Sequence, residues 1–181
     1  DKFEDIINRK CITVFLGIVK DLEEIKKINY YEIKRMDKNN KNKLEKILCD
    51  HFKYYLVPMC LSFNFTLSIE NRGFKSPIIK SDSYRYLFAQ IDGKKKLILF
   101  NNLQTKYLYI KNNKSQVDFW NQDLKKYPEF SKSKYIEILV SNGQMIYIPP
   151  GWWFCYENID NSIYVNCKSE SFFSYFLLSH N

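Results

Sequence analysis

The chain has 181 residues, 45% hydrophobic and 17% aromatic, which fits a packed globular domain with a sizeable core and excludes a disordered chain. Its 28 basic residues exceed its 20 acidic ones for a formal charge of +8, but 24 of the basic residues are Lys and only 4 are Arg. That bias is the one an AT-rich genome produces, and it lacks the Arg forks that base and phosphate recognition favour. The runs GKKK (93–96), LKK (124–126) and KSK (132–134) therefore read as solvated faces that leave room for a weak RNA contact. The opening DKFEDIINRK carries charges where a signal peptide needs an apolar core, and the apolar run CITVFLGIV (11–19) is too short to span a membrane. Five cysteines, odd in number and without a CxxC pair, exclude a disulfide framework or zinc knuckle and point to a reducing, intracellular compartment.

In chain order, ITVFLGIV (12–19) is predicted as a strand and DLEEIKKI (21–28) as a helix with acidic residues in its first turn. The polar MDKNNKNK (36–43) reads as a loop. It overlaps a second helix over 40–56, in which Leu44, Ile47, Leu48 and Phe52 form one stripe. From Leu61 the period changes. In LSFNFTLSIE (61–70), Leu61, Phe63, Phe65, Leu67 and Ile69 alternate with Ser62, Asn64, Thr66, Ser68 and Glu70, the mark of a half-buried strand. Further strands are expected at 86–91, 96–100, 106–110, 135–140, 144–148, 152–157 and 162–167, divided by loops holding Gly, Asn, Asp or Pro. Short strands at this spacing predict a mainly β sandwich or barrel with N-terminal helices. The tail SESFFSYFLLSHN (169–181) reads as the start of a helix. One domain is expected: a mixed part over 1–60, a β core over 61–168 and the tail over 169–181.

Three blocks carry a resemblance: LFAQIDGKKKLILF (87–100), SQVDFWNQDLKKYPEF (115–130) and NGQMIYIPPGWWFCYENIDNSIYVN (142–166). Together they resemble the JmjC/cupin-like 2-oxoglutarate oxygenases, and in particular the asparaginyl hydroxylase that inhibits hypoxia-inducible factor. The resemblance covers roughly 74–168 and implies a double-stranded β-helix, a jelly-roll of two sheets. It also implies an Fe(II) site of two histidines and one carboxylate, the facial triad. Counted back from Gly93, the acid falls on Asp82 and the first histidine on Lys80; matched through Ser76–Pro77, the histidine position becomes Ile79. The second histidine falls on Phe154. The two histidines of the chain, His51 and His180, lie far from these positions, on the second helix and in the tail, and Cys155 should face away from the side of Phe154. The metal site is thus expected to be absent, with Lys80 pairing Asp82 and Phe154 filling volume opposite.

The resemblance further places Lys95 where the family pairs a lysine with the 2-oxoglutarate carboxylate, a match that a run of lysines could also produce by chance. Ser76 stands near a family threonine, Tyr86 replaces a pocket asparagine, Asn166 matches an asparagine, and Lys168 stands where the family has tryptophan. In IPPGWW, Pro149, Pro150 and Gly151 read as a turn, with Trp152 and Trp153 supplying apolar area. The expectation is a catalytically inactive pseudo-oxygenase, not an enzyme and without cofactor, serving as a binding or structural module with protein partners in a larger assembly. Two alternatives stand beside it: an Fe(II)/2-oxoglutarate-dependent protein hydroxylase with atypical ligands, and an RNA-associated module using the basic surface.

Overall fold

The computed structural model describes residues 13–16, 37–44, 46, 60–81 and 85–171. The first strand is β1, Thr13–Leu16. Residues 38–44 are helical, so the polar run read as a loop instead begins the helix. The Asp37 carboxylate caps it by accepting the Asn40 N–H at 2.9 Å. His51, His180, the expected helix over 21–28 and positions 47–56 lie outside the described residues.

Eight strands follow that build the barrel: β2 (Cys60–Glu70), β3 (Ile79–Lys80), β4 (Arg85–Asp92) and β5 (Lys94–Phe100), then β8 (Ile136–Ser141), β9 (Gln144–Ile148), β10 (Trp153–Asn158) and β11 (Ser162–Ser171). Between β5 and β8 the chain makes an excursion that holds two 3-10 helices, Asn102–Tyr107 and Pro128–Lys132, and a small hairpin of β6 (Ile110–Lys111) and β7 (Lys114–Ser115). The strand expected over 106–110 is therefore replaced by the end of a 3-10 helix and a turn. Its residues do not alternate between two faces: Leu108, Tyr109 and Ile110 all pack on one hydrophobic cluster, and Tyr109 takes a positive φ of 49°. The tail differs as well, because β11 continues through Ser171 where a helix was expected, and 172–181 lie outside the described residues.

The strands form a five-stranded sheet in the order β1-β9-β4-β11-β2 and a four-stranded sheet in the order β3-β10-β5-β8, every pairing antiparallel. From β2 to β5, and again from β8 to β11, successive strands alternate between the two sheets. That alternation is the double-stranded β-helix. Inward residues of both sheets make the first core: Tyr86, Phe88, Ile146, Ile148 and Tyr164 from one, Leu97, Leu99, Val140, Phe154 and Tyr156 from the other. The outer face of the four-stranded sheet carries a second core, where Ile98, Phe100, Trp153 and Cys155 meet Leu108, Val117 and Phe130 of the excursion. Trp153 Nε1 donates to Thr105 Oγ1 at 2.9 Å and Trp120 Nε1 to the Ser76 carbonyl at 2.8 Å, so the indoles pin the excursion to the sheet.

The β4–β5 turn depends on one glycine. Gly93 has φ +81°, and a Cβ there would collide with the Asn161 carbonyl oxygen of the β10–β11 turn. Gly93→Ala is expected to lower stability by about 2 kcal/mol or more, read as a fall in the denaturant midpoint. An unchanged midpoint would mean that the two turns can part without loss.

Candidate functional site

The short strand β3 decides which residues reach the interior. Its antiparallel partner is β10, with Ile79 opposite Phe154 and Lys80 opposite Trp153. Opposed residues share a face. Phe154 is 1% exposed inside the first core, edge-on to Tyr86 and Phe88 at centroid distances of 5.2 and 5.4 Å, and Ile79 packs on the same cluster. Lys80 instead lies on the outer face, its Nζ 5.5 Å from the Trp153 ring. Of the two registers open to the sequence, the inward one is that matched through Ser76–Pro77. The acid position two residues after Ile79 is then Ser81, which is wholly buried and donates its Oγ–H to the Pro149 carbonyl at 2.8 Å. Asp82 lies outside the described residues.

Ile79, Ser81 and Phe154 offer an alkyl group, a hydroxyl already engaged with backbone and a phenyl ring. None is an imidazole or a carboxylate, so these residues do not fit an Fe(II) facial triad. Among the described residues no group of three or more His, Cys, Asp or Glu could hold a metal ion. Cys155 faces outward into the second core, and burial pushes its thiol well above the usual range.

Polar chemistry gathers at the other end of the barrel. On β10 the inward positions run Phe154, Tyr156, Asn158, and on β5 they run Leu99, Leu97, Lys95, with Asn158 opposite Lys95. Lys95 is wholly buried. Its ammonium sits 3.8 Å from the Tyr156 ring centroid and 3.4 Å from that of Tyr164, and 3.4 Å from Glu70 Oε2. Glu70, the last residue of β2, accepts the Tyr156 hydroxyl at 3.0 Å and the Tyr164 hydroxyl at 2.8 Å on Oε1. Its Oε2 also takes an Asn158 Nδ2–H at 2.9 Å. Cation–π contact is worth about 2 kcal/mol when desolvated, whereas withdrawing an ammonium from water costs several. Desolvation wins: it lowers the Lys95 pKa from 10.5 to about 7, against the pull of Glu70. Burial also pushes both tyrosine hydroxyls well above their usual range.

The remaining positions are spread around this frame. Ser76 Oγ accepts the Tyr156 backbone N–H at 2.9 Å. Tyr86 stacks on Phe88, and Lys168 Nζ lies 5.1 Å from the Tyr86 ring. Asn166 lies opposite Phe88, and its buried Oδ1 has no hydrogen-bond partner among the described residues. Lys95 is thus joined to Glu70, Tyr156, Tyr164 and Asn158, four residues that sequence reasoning did not single out. A signal existed for two of them: Tyr156 and Asn158 follow Phe154 at the strand period of two.

Residues 19–172 match the family model described as a cupin-like domain. The chain is also similar to lysine-specific demethylase 8 of Xenopus tropicalis, 35% identical over 99 residues that are 52% of this chain and 22% of that protein. Human tRNA wybutosine-synthesizing protein 5 is 41% identical over 68 residues, 37% of this chain and 22% of that protein. A lysine-specific demethylase of Arabidopsis thaliana is 30% identical over 90 residues, 47% of this chain and 21% of that protein. The matched segments span about a fifth of these relatives' own length. The expectation that the chain is not an enzyme is corrected by these names, which are those of enzymes and point to an oxygenase-like enzyme family. The expectation rested on missing histidines alone. No helix among the described residues is long and apolar enough to cross a membrane.

The Lys95 environment predicts a pH response. Between pH 7 and 10.5 the unfolded chain holds a proton that the folded Lys95 has released, so stability should rise with pH by up to about 1.4 kcal/mol per unit. Cys155 opposes this once its unfolded thiol ionises near 9.0, which leaves pH 7 to about 8.5 as the clean window. Urea denaturation at steps across that window should show the rise in the wild type and a flat profile in Lys95→Met. Equal slopes in both would place the depressed lysine elsewhere.

Proposed function

Because the chain belongs to the cupin-like domain family, we propose that it is the ligand-binding cupin domain of a longer oxygenase-like protein, with a cationic site for a small carboxylate at Lys95. One observation carries this reading: a wholly buried ammonium lies between two tyrosine rings inside the jelly-roll, at the position that the resemblance gives to the 2-oxoglutarate carboxylate. A carboxylate placed there would meet the Lys95 amine, the Tyr156 and Tyr164 hydroxyls and the Asn158 amide, donors that now converge on Glu70. A bound 2-oxo acid would supply the electrons for an oxygenase reaction. This chain's residues would orient it through one carboxylate and keep water from it with Phe88 and Leu97. The residues in the iron-triad positions, Ile79, Ser81 and Phe154, do not fit iron.

A second reading, contact with RNA, is favoured by the excursion between β5 and β8. Lys106, Lys111, Lys114, Lys125, Lys126, Lys132 and Lys134 are all exposed there, beside exposed Leu103 and Tyr135. One of the relatives is named for tRNA wybutosine synthesis. Such a surface would add a polyanion contact to the same module in a larger assembly.

Calorimetric titration with 2-oxoglutarate and with succinate, each with and without Mn(II), tests the first reading. Saturable binding is expected that weakens at least tenfold in Lys95→Met, and a flat titration at millimolar ligand would sink it. For the second, binding of unmodified tRNA should fall steeply on a log–log plot against salt, by roughly 0.7 to 0.9 per lysine–phosphate contact. Weak binding that ignores salt would dismiss it.

A further inference from the structure

We propose that the polar end of the jelly-roll is a carboxylate receptor already filled by a tethered guest, the side chain of Glu70, which a free small carboxylate must displace. The inference rests on the reading of Lys95 as a carboxylate site and adds what governs access to it.

The receptor and its guest come from different strands. Lys95 stands on β5, Tyr156 and Asn158 on β10, and Tyr164 on β11, whereas Glu70 ends β2. Their four donors converge on one carboxylate: two tyrosine hydroxyls on Oε1, the Asn158 amide and the Lys95 ammonium on Oε2. A carboxylate accepts about four such bonds, so the donor set is complete for one anion. The fit of the tethered guest is not. The Lys95 contact is long at 3.4 Å, and the buried Oδ1 of Asn158 has no partner among the described residues. An acceptor left empty at one-hundredth exposure is a place for a donor that Glu70 lacks. A free acid with a hydroxyl next to its carboxylate would bring one.

Glu70 is also placed to leave. Its side chain is 18% exposed while that of Lys95 is 1% exposed, so the guest borders solvent and the host does not. The turn Asn71–Phe74 follows it directly, and exposed Arg72 donates its backbone N–H to Asn161 Oδ1 at 2.9 Å. A rotation of the Glu70 side chain frees the donors without parting β2 from β11. Because the guest is tethered, its effective concentration is of order millimolar or more, and a free carboxylate competes at that level.

Succinate, lactate and formate are the probes, titrated into wild type, Glu70→Ala, and Glu70→Ala combined with Lys95→Met. Removal of the guest is expected to tighten succinate binding at least tenfold over wild type, with the gain lost in the double variant. Lactate should bind Glu70→Ala more tightly than formate, and formate should raise the melting temperature of Glu70→Ala but not of wild type. If wild type binds succinate and Glu70→Ala binds it no more tightly, the tethered guest is overturned and the ligand site at Lys95 stands. Binding by Glu70→Ala alone supports the guest and overturns ligand binding by the native domain. Binding by neither overturns both.

A second readout needs no variant. With glutamate 13C-labelled in wild type, the Glu70 carboxylate signal should move towards that of an exposed glutamate as lactate or succinate is added. A Glu70 signal that stays in place at saturating ligand overturns the proposal even where Glu70→Ala does not fold.

Discussion

Strand β10 serves two cores at once, and the rest of the molecule follows from its alternation. Trp153 and Cys155 point outward into the cluster closed by the excursion, while Phe154 and Tyr156 point into the barrel. The strand is held on both sides, by β5 along its whole length and by β3 over two residues. A shift by one residue would drive an indole into the barrel and a phenyl ring against the excursion, so no neighbouring register is accessible. That rigidity fixes β3 in turn, and it places Ile79 rather than Lys80 across from Phe154. It also sets Tyr156 and Asn158 opposite Leu97 and Lys95, which is where the polar chemistry lies.

The interior is graded from end to end. At one end stand Leu99, Ile148 and Phe154, with Tyr86 under the Lys168 ammonium. Tyrosines occupy the middle, apolar at the ring and polar at the hydroxyl, and Tyr156 and Tyr164 aim those hydroxyls at Glu70. Lys95, Asn158 and Gln90 occupy the far end, with Gln90 donating to the buried Ser162 hydroxyl. The grading is an energetic compromise. An ammonium costs several kcal/mol to bury, and two tyrosine faces with one carboxylate return only part of it, so Lys95 gives up its proton near neutrality.

Much of this was legible in the residues. Strict alternation from Leu61 to Glu70 gave a strand to within a residue. The QMIYI and WWFCYE segments, buried on both faces, were legible instead as short β-favouring runs bounded by turns with Gly, Pro, Asn or Asp. KYLYI misled because aromatic, β-favouring residues also suit an irregular cover over a sheet, where one side chain is buried and the rest shield it. The polar run before Leu44 misled for the opposite reason: its helix starts at a capping Asp37 rather than at an apolar stripe. The iron positions were harder. Ile79 and Lys80 are adjacent, and only the pairing partner on β10 tells which of the two turns inward. No local pattern contains that information.

Lys95 shows why the candidate site was half visible. In the sequence it is the middle of three lysines, and nothing local separates it from Lys94 and Lys96. In the fold the three take different environments: Lys94 is exposed, Lys96 reaches Glu157 at 3.2 Å on the outer face, and Lys95 alone is buried. The pleat requires this, since neighbours on a strand face opposite sides and only one can enter the barrel. What makes the inward place tolerable is Glu70, twenty-five residues earlier and on the other sheet. A charge inside a β-sandwich is therefore a property of two strands that the sequence does not place side by side. The composition reveals that such lysines are abundant, and the topology decides which one becomes a site.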